Sequence, residues 1–303
     1  MIDARLQLLI AVCEYGTVTA AAQALHRSPS GVSKQLKELA AELDVALLER
    51  HGRRVRLTAA GNRLVEHART MNAQWEMALS DTAAAARQLS GPLPMGGFPT
   101  AVSTLVAPTV RALRSRHPGL DPTAHEIYSH DVLRRLESGA IDVGIYVAGE
   151  DARVDRELVA VADLIDDPID LLVPVGHRFA ELDSVTMVDA EGEEWISGRR
   201  HQDSYTELLA ATRAVGYSPR VVHFAQELTA VTALVGQGLG IAAVPRIAIT
   251  VPHPGAVRVP LSGRNVPQRK IVVCTRRGAE ENPRIVAATD ELRRTVAGLA
   301  APG

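Results

Sequence analysis

The chain has 303 residues, 46% apolar and 22% charged, with a formal net charge of -2. That length predicts two or three folding units, and a near-neutral balance argues against a protein that coats nucleic acid with its whole surface. No apolar run is long enough for a bilayer, the start lacks the basic-apolar-small order of a signal peptide, and two distant cysteines, Cys13 and Cys274, give neither a disulfide framework nor metal spacing; a reduced, cytoplasmic protein is expected.

Residues 3–14 set Leu6, Leu9, Ile10 and Cys13 at steps of three and four, which predicts a helix ended by Gly16. Thr17 is suited to cap an alanine-rich second helix over 18–25. His26-Arg27 interrupts it. Ser28-Pro29 then opens a third helix, with serine as cap and proline where no N–H is needed. Val32, Leu36, Leu39 and Leu43 form its expected buried stripe. Ser30, Ser33, Lys34 and Lys37 occupy the opposite face, where hydroxyls and ammonium groups suit base edges and phosphates. Alone, that face would read as a solvated surface. Behind a short alanine helix and a tight turn it matches helix-turn-helix geometry. Gly31 costs about 1 kcal/mol against alanine and is expected to serve close approach, to the first helix or to DNA.

Residues 47–58 predict two short strands turning at Gly52. The run RHGRRVR at 50–56 carries four arginines and no acid, so binding to a polyanion should be local. Arg53, Arg54 and Arg56 are expected to reach phosphates as a wing, with Lys37 beside them. Ser28 reads as a cap before a base contact. From 62 to 89 no proline or glycine occurs. Leu64, Ala68, Met71, Trp75, Ala78, Thr82, Ala85 and Leu89 form a heptad seam on a helix of roughly 40 Å. Such a seam pairs with a second copy, adding avidity to a DNA head, or packs on its own chain.

Gly91-Pro92-Leu93-Pro94 and Gly96-Gly97 read as a hinge or boundary. Beyond them, helices are expected at 101–116 (opened by Thr100), 131–137, 207–215, 227–235 and 283–299. Strands are expected at 123–128, 141–146, 171–175, 194–196, 221–224, 241–244, 257–259 and 270–275. The alternation predicts α/β architecture with mostly parallel sheets. Asp163, Asp166, Asp167 and Asp170 read as a solvated loop, since no histidine or cysteine accompanies them. Gly236-Gln237-Gly238-Leu239-Gly240 follows a helix and precedes a strand, the reverse of what pyrophosphate binding needs. Cys274 reads as a core residue. With no Walker loop and no Gly-x-Ser-x-Gly elbow, no enzyme is expected.

Ala21-Ala22, Leu25, Ser28-Pro29-Ser30-Gly31-Val32-Ser33 and Leu57-Thr58-Ala59-Ala60-Gly61 closely resemble the LysR-type transcriptional regulators. The resemblance covers the whole chain and is most specific in its first sixty or so residues. Departures stand at Leu9, Val18 and Leu48, where the family often has an aromatic, at Gly31, where alanine is usual, and at Pro29, where many members carry glutamine. The resemblance implies a winged helix-turn-helix DNA-binding domain over 1–61 and a linker helix for dimerisation over 62–90. It further implies an α/β effector domain of periplasmic-binding-protein type over 91–303. Lobe I would comprise 92–162 and 266–303, and lobe II 163–265.

By the same likeness the protein regulates transcription from promoter DNA under control of a small-molecule effector held between the lobes. It works as a homodimer or homotetramer with RNA polymerase as a further partner, and without cofactor, metal or membrane. Thr100 and Ala101, at a helix start whose free N–H groups favour anions, would line the cleft. Ser129, Tyr146, Ser197, Gly198, Phe224 and Gln226, at strand ends, and His201 would complete it. A cap alone explains Thr100 equally well, and His201 and His223 compete with ordinary structural or surface roles. The reading from a different class is a cytoplasmic metabolite-binding or enzymatic α/β protein with a vestigial head.

Overall fold

The computed structural model describes residues 3–25, 27–51, 54–86, 89–149, 157–200, 203–263 and 266–300. At the N-terminus α1 (Ala4–Tyr15), α2 (Val18–Ala24) and α3 (Pro29–Glu42) share one core of Leu6, Leu9, Val12, Val32 and Leu36. Ala21 and Ala22 are fully buried within it, and their small side chains let the three helices close up. The predicted caps form. Gly16 turns left-handed at φ 68°, Thr17 Oγ accepts from Ala20 N–H at 3.1 Å, and Ser28 Oγ accepts from Gly31 N–H at 3.2 Å. Each such side-chain cap is worth about 1 kcal/mol. Leu43 departs from expectation: α3 stops at Glu42, Asp44 adopts φ 52°, and Leu43 is left 44% exposed. Gly31 meets neither α1 nor open space. A Cβ there would stand 2.9 Å from Ser28 Oγ, so the glycine accommodates its own helix cap.

Next, β1 (Leu48–His51) and β2 (Arg54–Leu57) pair antiparallel with Leu48 opposite Leu57. The predicted turn at Gly52 and Arg53 lies outside the described residues. The linker helix α4 (Ala59–Ala85) begins before the expected position 62 because Thr58 caps it, accepting from Gly61 N–H at 3.0 Å. Head and linker therefore share one continuous helix. Its faces divide the seam: Ala68 is buried against the head and Leu64 half-buried there, whereas Met71, Trp75, Ala78, Thr82 and Ala85 are exposed. A different face carries Glu76 and Ser80 onto the rest of the chain. Ser80 Oγ donates to the Gly278 carbonyl at 3.2 Å, and Glu76 pairs with Arg276 at 3.0 Å.

The expected hinge at Gly91 is instead strand β3 (Gly91–Gly97), which runs parallel to its two neighbours. Its prolines, Pro92 and Pro94, fall where only one of those neighbours pairs with it, so no ladder bond is lost. Then α5 (Pro99–Ala101), a π-helical turn (Val102–Val106) and α6 (Ala107–Arg116) run on as one helix. Its opener is not Thr100: Phe98 holds the cap position, and Pro99 the first turn. The π turn answers Pro108, whose missing N–H and ring cannot sit in an ordinary α turn.

After these come β4 (Leu120–Glu126), α7 (Ser129–Glu137), β5 (Val143–Ala148) and β6 (Val159–Pro174). They are followed by β7 (Glu194–Ser197), α8 (Asp203–Ala214), β8 (Arg220–Phe224) and α9 (Leu228–Gly236). The chain closes with β9 (Ala242–Pro245), β10 (Ala256–Pro260), β11 (Gln268–Arg276) and α10 (Pro283–Ala300). One sheet has the order β10-β6-β11-β5-β3-β4 with β9 also on β6, and β7-β8 form a separate parallel pair.

Outside the wing, parallel pairs are β3–β4, β3–β5 and β7–β8; β6 and β11 pair antiparallel with all their neighbours. The mostly parallel expectation fails there because these two strands cross between the lobes in opposite directions. Apolar cores lie on either side of that crossing, one around Leu93, Leu105, Ile145 and Ile271, the other around Leu171, Phe179, Trp195 and Leu208.

The acidic cluster read as a loop lies within β6. Asp163 pairs with Lys270 at 2.7 Å across the ladder, Asp170 with Arg246 at 2.6 Å, and Asp167 with Arg269 at 2.7 Å. Asp167 is fully buried and its second oxygen accepts from Ile247 N–H at 3.1 Å. Removing one partner of a buried pair strands the other charge. Asp167→Ala should therefore cost about 3–5 kcal/mol in urea unfolding, against about 0.5 kcal/mol or less for Asp163→Ala at its exposed pair. Gly278 has φ 88° and a Cβ there would stand 2.2 Å from the Ala73 carbonyl of α4. Gly278→Ala should lower the thermal midpoint by several degrees, for a backbone strain of about 1–3 kcal/mol.

Candidate DNA interface and effector cleft

The third helix of the head presents two unlike faces. Val32, Leu36 and Leu39 are buried; Ser30, Lys34 and Lys37, at helical steps of four and three, are exposed on the other side. The Lys34 ammonium is 3.8 Å from Glu38 with most of its side chain in solvent, so that pair is weak and the cation is available for exchange. Ser28 Oγ is committed to its cap, and Ser30 Oγ lies 3.5 Å from it. Ser33 is half-buried, on the shoulder between the faces. On the wing, Arg56 is exposed; Arg53 and the side chain of Arg54 lie outside the described residues. Arg27, outside the expected contact set, is exposed beside α3, with Nη1 3.5 Å from Gln35 Oε1. A single basic residue in a turn carries no periodic signal, so only the fold brings it to this face.

The expected cleft residues fall into two groups. In lobe I, Ile127 N–H donates to the Gly97 carbonyl at 2.8 Å, which joins the turn before Pro99 to the turn before Ser129. Thr100 is half-buried in the first turn of the helix, and the absence of a side-chain cap at Phe98 leaves that turn's N–H groups without one. Ala101 turns its methyl into the core against Gly97. Ser129 Oγ accepts from Val147 N–H at 3.4 Å. Tyr146 does not present itself as a ligand group: it is 3% exposed, in a core with Val132, Leu136 and Val272. Its strand is central, and the alternate side chains that look like a strand-end site face α7.

In lobe II, Ala225 N–H donates to the Ser197 carbonyl at 3.0 Å, bringing the ends of β7 and β8 together. Ser197 and Gly198 are buried there, whereas Phe224 is 55% exposed and Gln226 exposed. His201 lies outside the described residues, and His223 is half-buried within β8. Gly238 and Gly240 hold φ 75° and 142°, and a Cβ at Gly240 would stand 2.6 Å from the Glu194 carbonyl. Turn geometry and packing therefore account for the glycine run that mimics a dinucleotide fingerprint.

Between the groups stands a residue that no local pattern announces. The Arg269 guanidinium stacks 4.9 Å from the centre of the Phe98 ring while pairing with Asp167, so the crossing strands back directly onto the first cleft turn. A separation of about a hundred positions hides that pair from the sequence. Arg200, also outside the expected contact set, is exposed after β7.

Comparison with known proteins agrees with this architecture. A family model described as "Bacterial regulatory helix-turn-helix protein, lysR family" matches residues 4–62, and one described as "LysR substrate binding domain" matches 86–297. A "Hydrogen peroxide-inducible genes activator" of Pectobacterium carotovorum subsp. carotovorum is 28% identical over 297 residues, 97% of this chain and 96% of the relative. Among solved structures, a full-length OxyR variant from Pseudomonas aeruginosa superposes with a TM-score of 0.67 at 23% identity, covering 97% of this chain and 95% of that one. Full-length CbnR complexed with its target DNA gives 0.58 at 24%, covering 98% and 100%. No described helix is long and apolar enough to cross a membrane. A capped third helix with two lysines on its exposed face and a two-lobed α/β body, matched by these family models over 4–62 and 86–297, make the chain a member of the LysR family: a DNA-binding transcriptional regulator with an effector-binding domain.

Proposed function

We propose that the protein reads promoter DNA with α3 and the wing of a head spanning 1–61, and that residues 62–90 join two copies. Its signal would come from a small molecule held between lobe I (92–162 and 266–303) and lobe II (163–265). The observation that carries this reading is the exposed Ser30, Lys34, Lys37 face directly opposite the Val32, Leu36, Leu39 stripe. Ser30 and Lys34 take the base edges, with Ser33 at the groove margin; Lys37, Arg53, Arg54 and Arg56 take phosphate. The exposed remainder of the α4 seam, with Trp75 at 42%, supports pairing with a second copy. A homodimer or homotetramer, contact with RNA polymerase and a cytoplasmic setting follow from family likeness. No catalytic role is assigned.

Thr100, the Ala101 N–H, Ser129, Ser197, Gly198, His201, Phe224 and Gln226 are the proposed effector contacts. The uncapped helix start and Arg200 favour an effector with an anionic group. Peroxide sensing, raised by the name of the relative, would ask for a reactive thiol in the effector domain. The cysteines here argue for a bound ligand instead. Cys13 belongs to the head, while Cys274 is buried in β11, where burial pushes its thiol up to about 12 and its Sγ–H donates to the Gly144 carbonyl at 3.4 Å. The thiolate is the reactive form, and it is nearly absent there at neutral pH.

Fluorescence anisotropy on the DNA upstream of its own gene tests the head. Binding should weaken steeply with salt, and Lys37→Ala should reduce the slope of log K against log salt by about one unit. An unchanged slope would remove Lys37 from the phosphate contacts, and salt-independent binding would remove the interface. A thiol-reagent count at neutral pH should find Cys13 reacting fast in the native protein and Cys274 only on unfolding. Two fast thiols would reopen the peroxide reading.

A further inference from the structure

The head and the effector domain leave a space where they meet. A cavity of about 290 Å³, partly open to solvent, lies between α1 and α4 on one side and lobe I on the other. None of its lining residues belongs to the proposed effector contacts of the cleft. Close-packed interiors seldom leave a void on that scale, and ligand pockets favour the seams between domains. Ile10, Ala11, Leu25 and Leu158 supply apolar wall, and the rings of Tyr15 and Trp75 stand with them. Trp75, 42% exposed, belongs both to this wall and to the seam of α4.

The charges around this space are unbalanced. Four arginines and four glutamates line it. Three of those arginines also hold carboxylates from outside the lining: Arg134 binds Asp131 at 2.5 Å, Arg276 binds Asp142 at 2.7 Å, and Arg277 binds Glu280 at 3.1 Å. The fourth, Arg69, stands 3.7 Å from Glu14 of the lining itself. Among the described residues, carboxylates therefore outnumber guanidinium groups by three around the cavity. The sequence just before Glu157, EDARVDR at 150–156, brings three acids and two arginines and does not redress the balance. The Tyr15 hydroxyl senses the same field. Burial first, then the Glu137 carboxylate, push it up to about 12; Arg134 opposes that rise, and Glu14 and Asp131 add to it.

We propose that this cavity is a second ligand site, for a small organic cation: an ammonium group on a short arylalkyl body. The nitrogen lies among the carboxylates of Glu137 and Glu14, and the body against Tyr15, Trp75 and Leu158. Each part of the wall selects for that chemistry. An anion would meet an excess of carboxylates. A neutral apolar molecule would cover charged groups and give them nothing in return. A cation beside two aromatic rings gains from the carboxylates and from the negative faces of the rings together. The arginines do not compete for those acids at will, because Asp131, Asp142 and Glu280 hold three of them from behind. The site is independent of the interlobe cleft, whose uncapped helix start favours a ligand of the opposite charge.

Titration of the full-length protein with 2-phenylethylammonium chloride tests the site. The chain has two tryptophans, and Trp195 is fully buried in lobe II, so Trp195→Phe leaves the emission of Trp75 as a local reading. That emission should change and saturate at millimolar probe or below. Sodium 3-phenylpropanoate, the same ring and spacer with the opposite charge, should leave it unchanged. Glu137→Gln should weaken binding of the ammonium probe by about fivefold or more, and Arg134→Gln should tighten it by about twofold or more, since the two changes shift the field in opposite directions. A general loosening of the head would move both variants the same way. Calorimetry on the chain with Trp195 in place reads the same affinities should Trp195→Phe fold poorly. No binding of the ammonium probe, heat of binding without a Trp75 response, an equal response to the carboxylate, or affinities that the two variants leave unchanged or shift together would overturn the site.

Discussion

The guanidinium of Arg276 is the joint on which the arrangement depends. Its Nε binds Glu76 of the linker helix at 3.0 Å, Nη2 binds Asp142 at 2.7 Å, and Nη1 reaches the carbonyls of Leu136 and Ile141 at 3.3 and 2.9 Å. Burial alone would disfavour the charge, but the two carboxylates hold it firmly protonated, its pKa raised above the ordinary arginine value. A planar fork with five fixed donors can bind four acceptors on three segments at once, which a lysine ammonium cannot match geometrically. The long helix is thereby fixed to lobe I at one level, the residue pair Ser80 and Gly278 adds a second contact, and the head at the other end of the helix takes its position from both.

The parts of the molecule that were legible in the sequence are those governed by local rules. Gly16, Thr17, Ser28-Pro29 and the apolar steps of α1 and α3 act within a few residues, so the head could be read almost element by element. Leu43 departs from its stripe for a local reason as well: the apolar steps continue in sequence after the backbone has left the helix. The misreadings in the body share another cause. Residues 159–174 look polar because four aspartates interrupt them, yet three find cations on strands or turns far along the chain. A charge whose partner is a hundred positions away looks like a loop until the fold is known. Likewise the glycines and prolines of 91–97 imitate a hinge, while a Cβ at Gly96 would press within 2.5 Å of Ile127. The glycine serves close packing in a buried strand.

The cleft was legible as a set of turns and not as a chemistry. Its predicted residues do occupy the ends of β3, β7 and β8, as the alternation required, but which side chains are free was decided by packing. Tyr146 was lost to the core, Ser129 contributes its hydroxyl to a neighbouring strand, and Ala101 can offer only its backbone. What remains is dominated by backbone N–H groups, one threonine and exposed residues of lobe II. Sites of that composition select by shape and by the spacing between lobes as much as by any single side chain.

That composition also bears on how a signal leaves the cleft. A ligand held mainly by backbone groups on two lobes has its strongest differential interaction with the distance between them, and a ligand shifts an equilibrium only by such a difference. The interlobe angle is then the natural variable, and it is carried by β6 and β11 because those strands cross between the lobes. Their lobe I ends meet the linker and head at Leu158, Arg276 and Gly278. Of these, Gly278 has φ 88° and no room for a Cβ, while Arg276 donates to four acceptors at once. Leu158 and Arg276 both line the pocket between α1, α4 and lobe I. Four hydrogen bonds from one guanidinium and a backbone with no room for a side chain stand against a single aliphatic contact, so the Arg276–Gly278 end is the firmer attachment of the linker helix to lobe I.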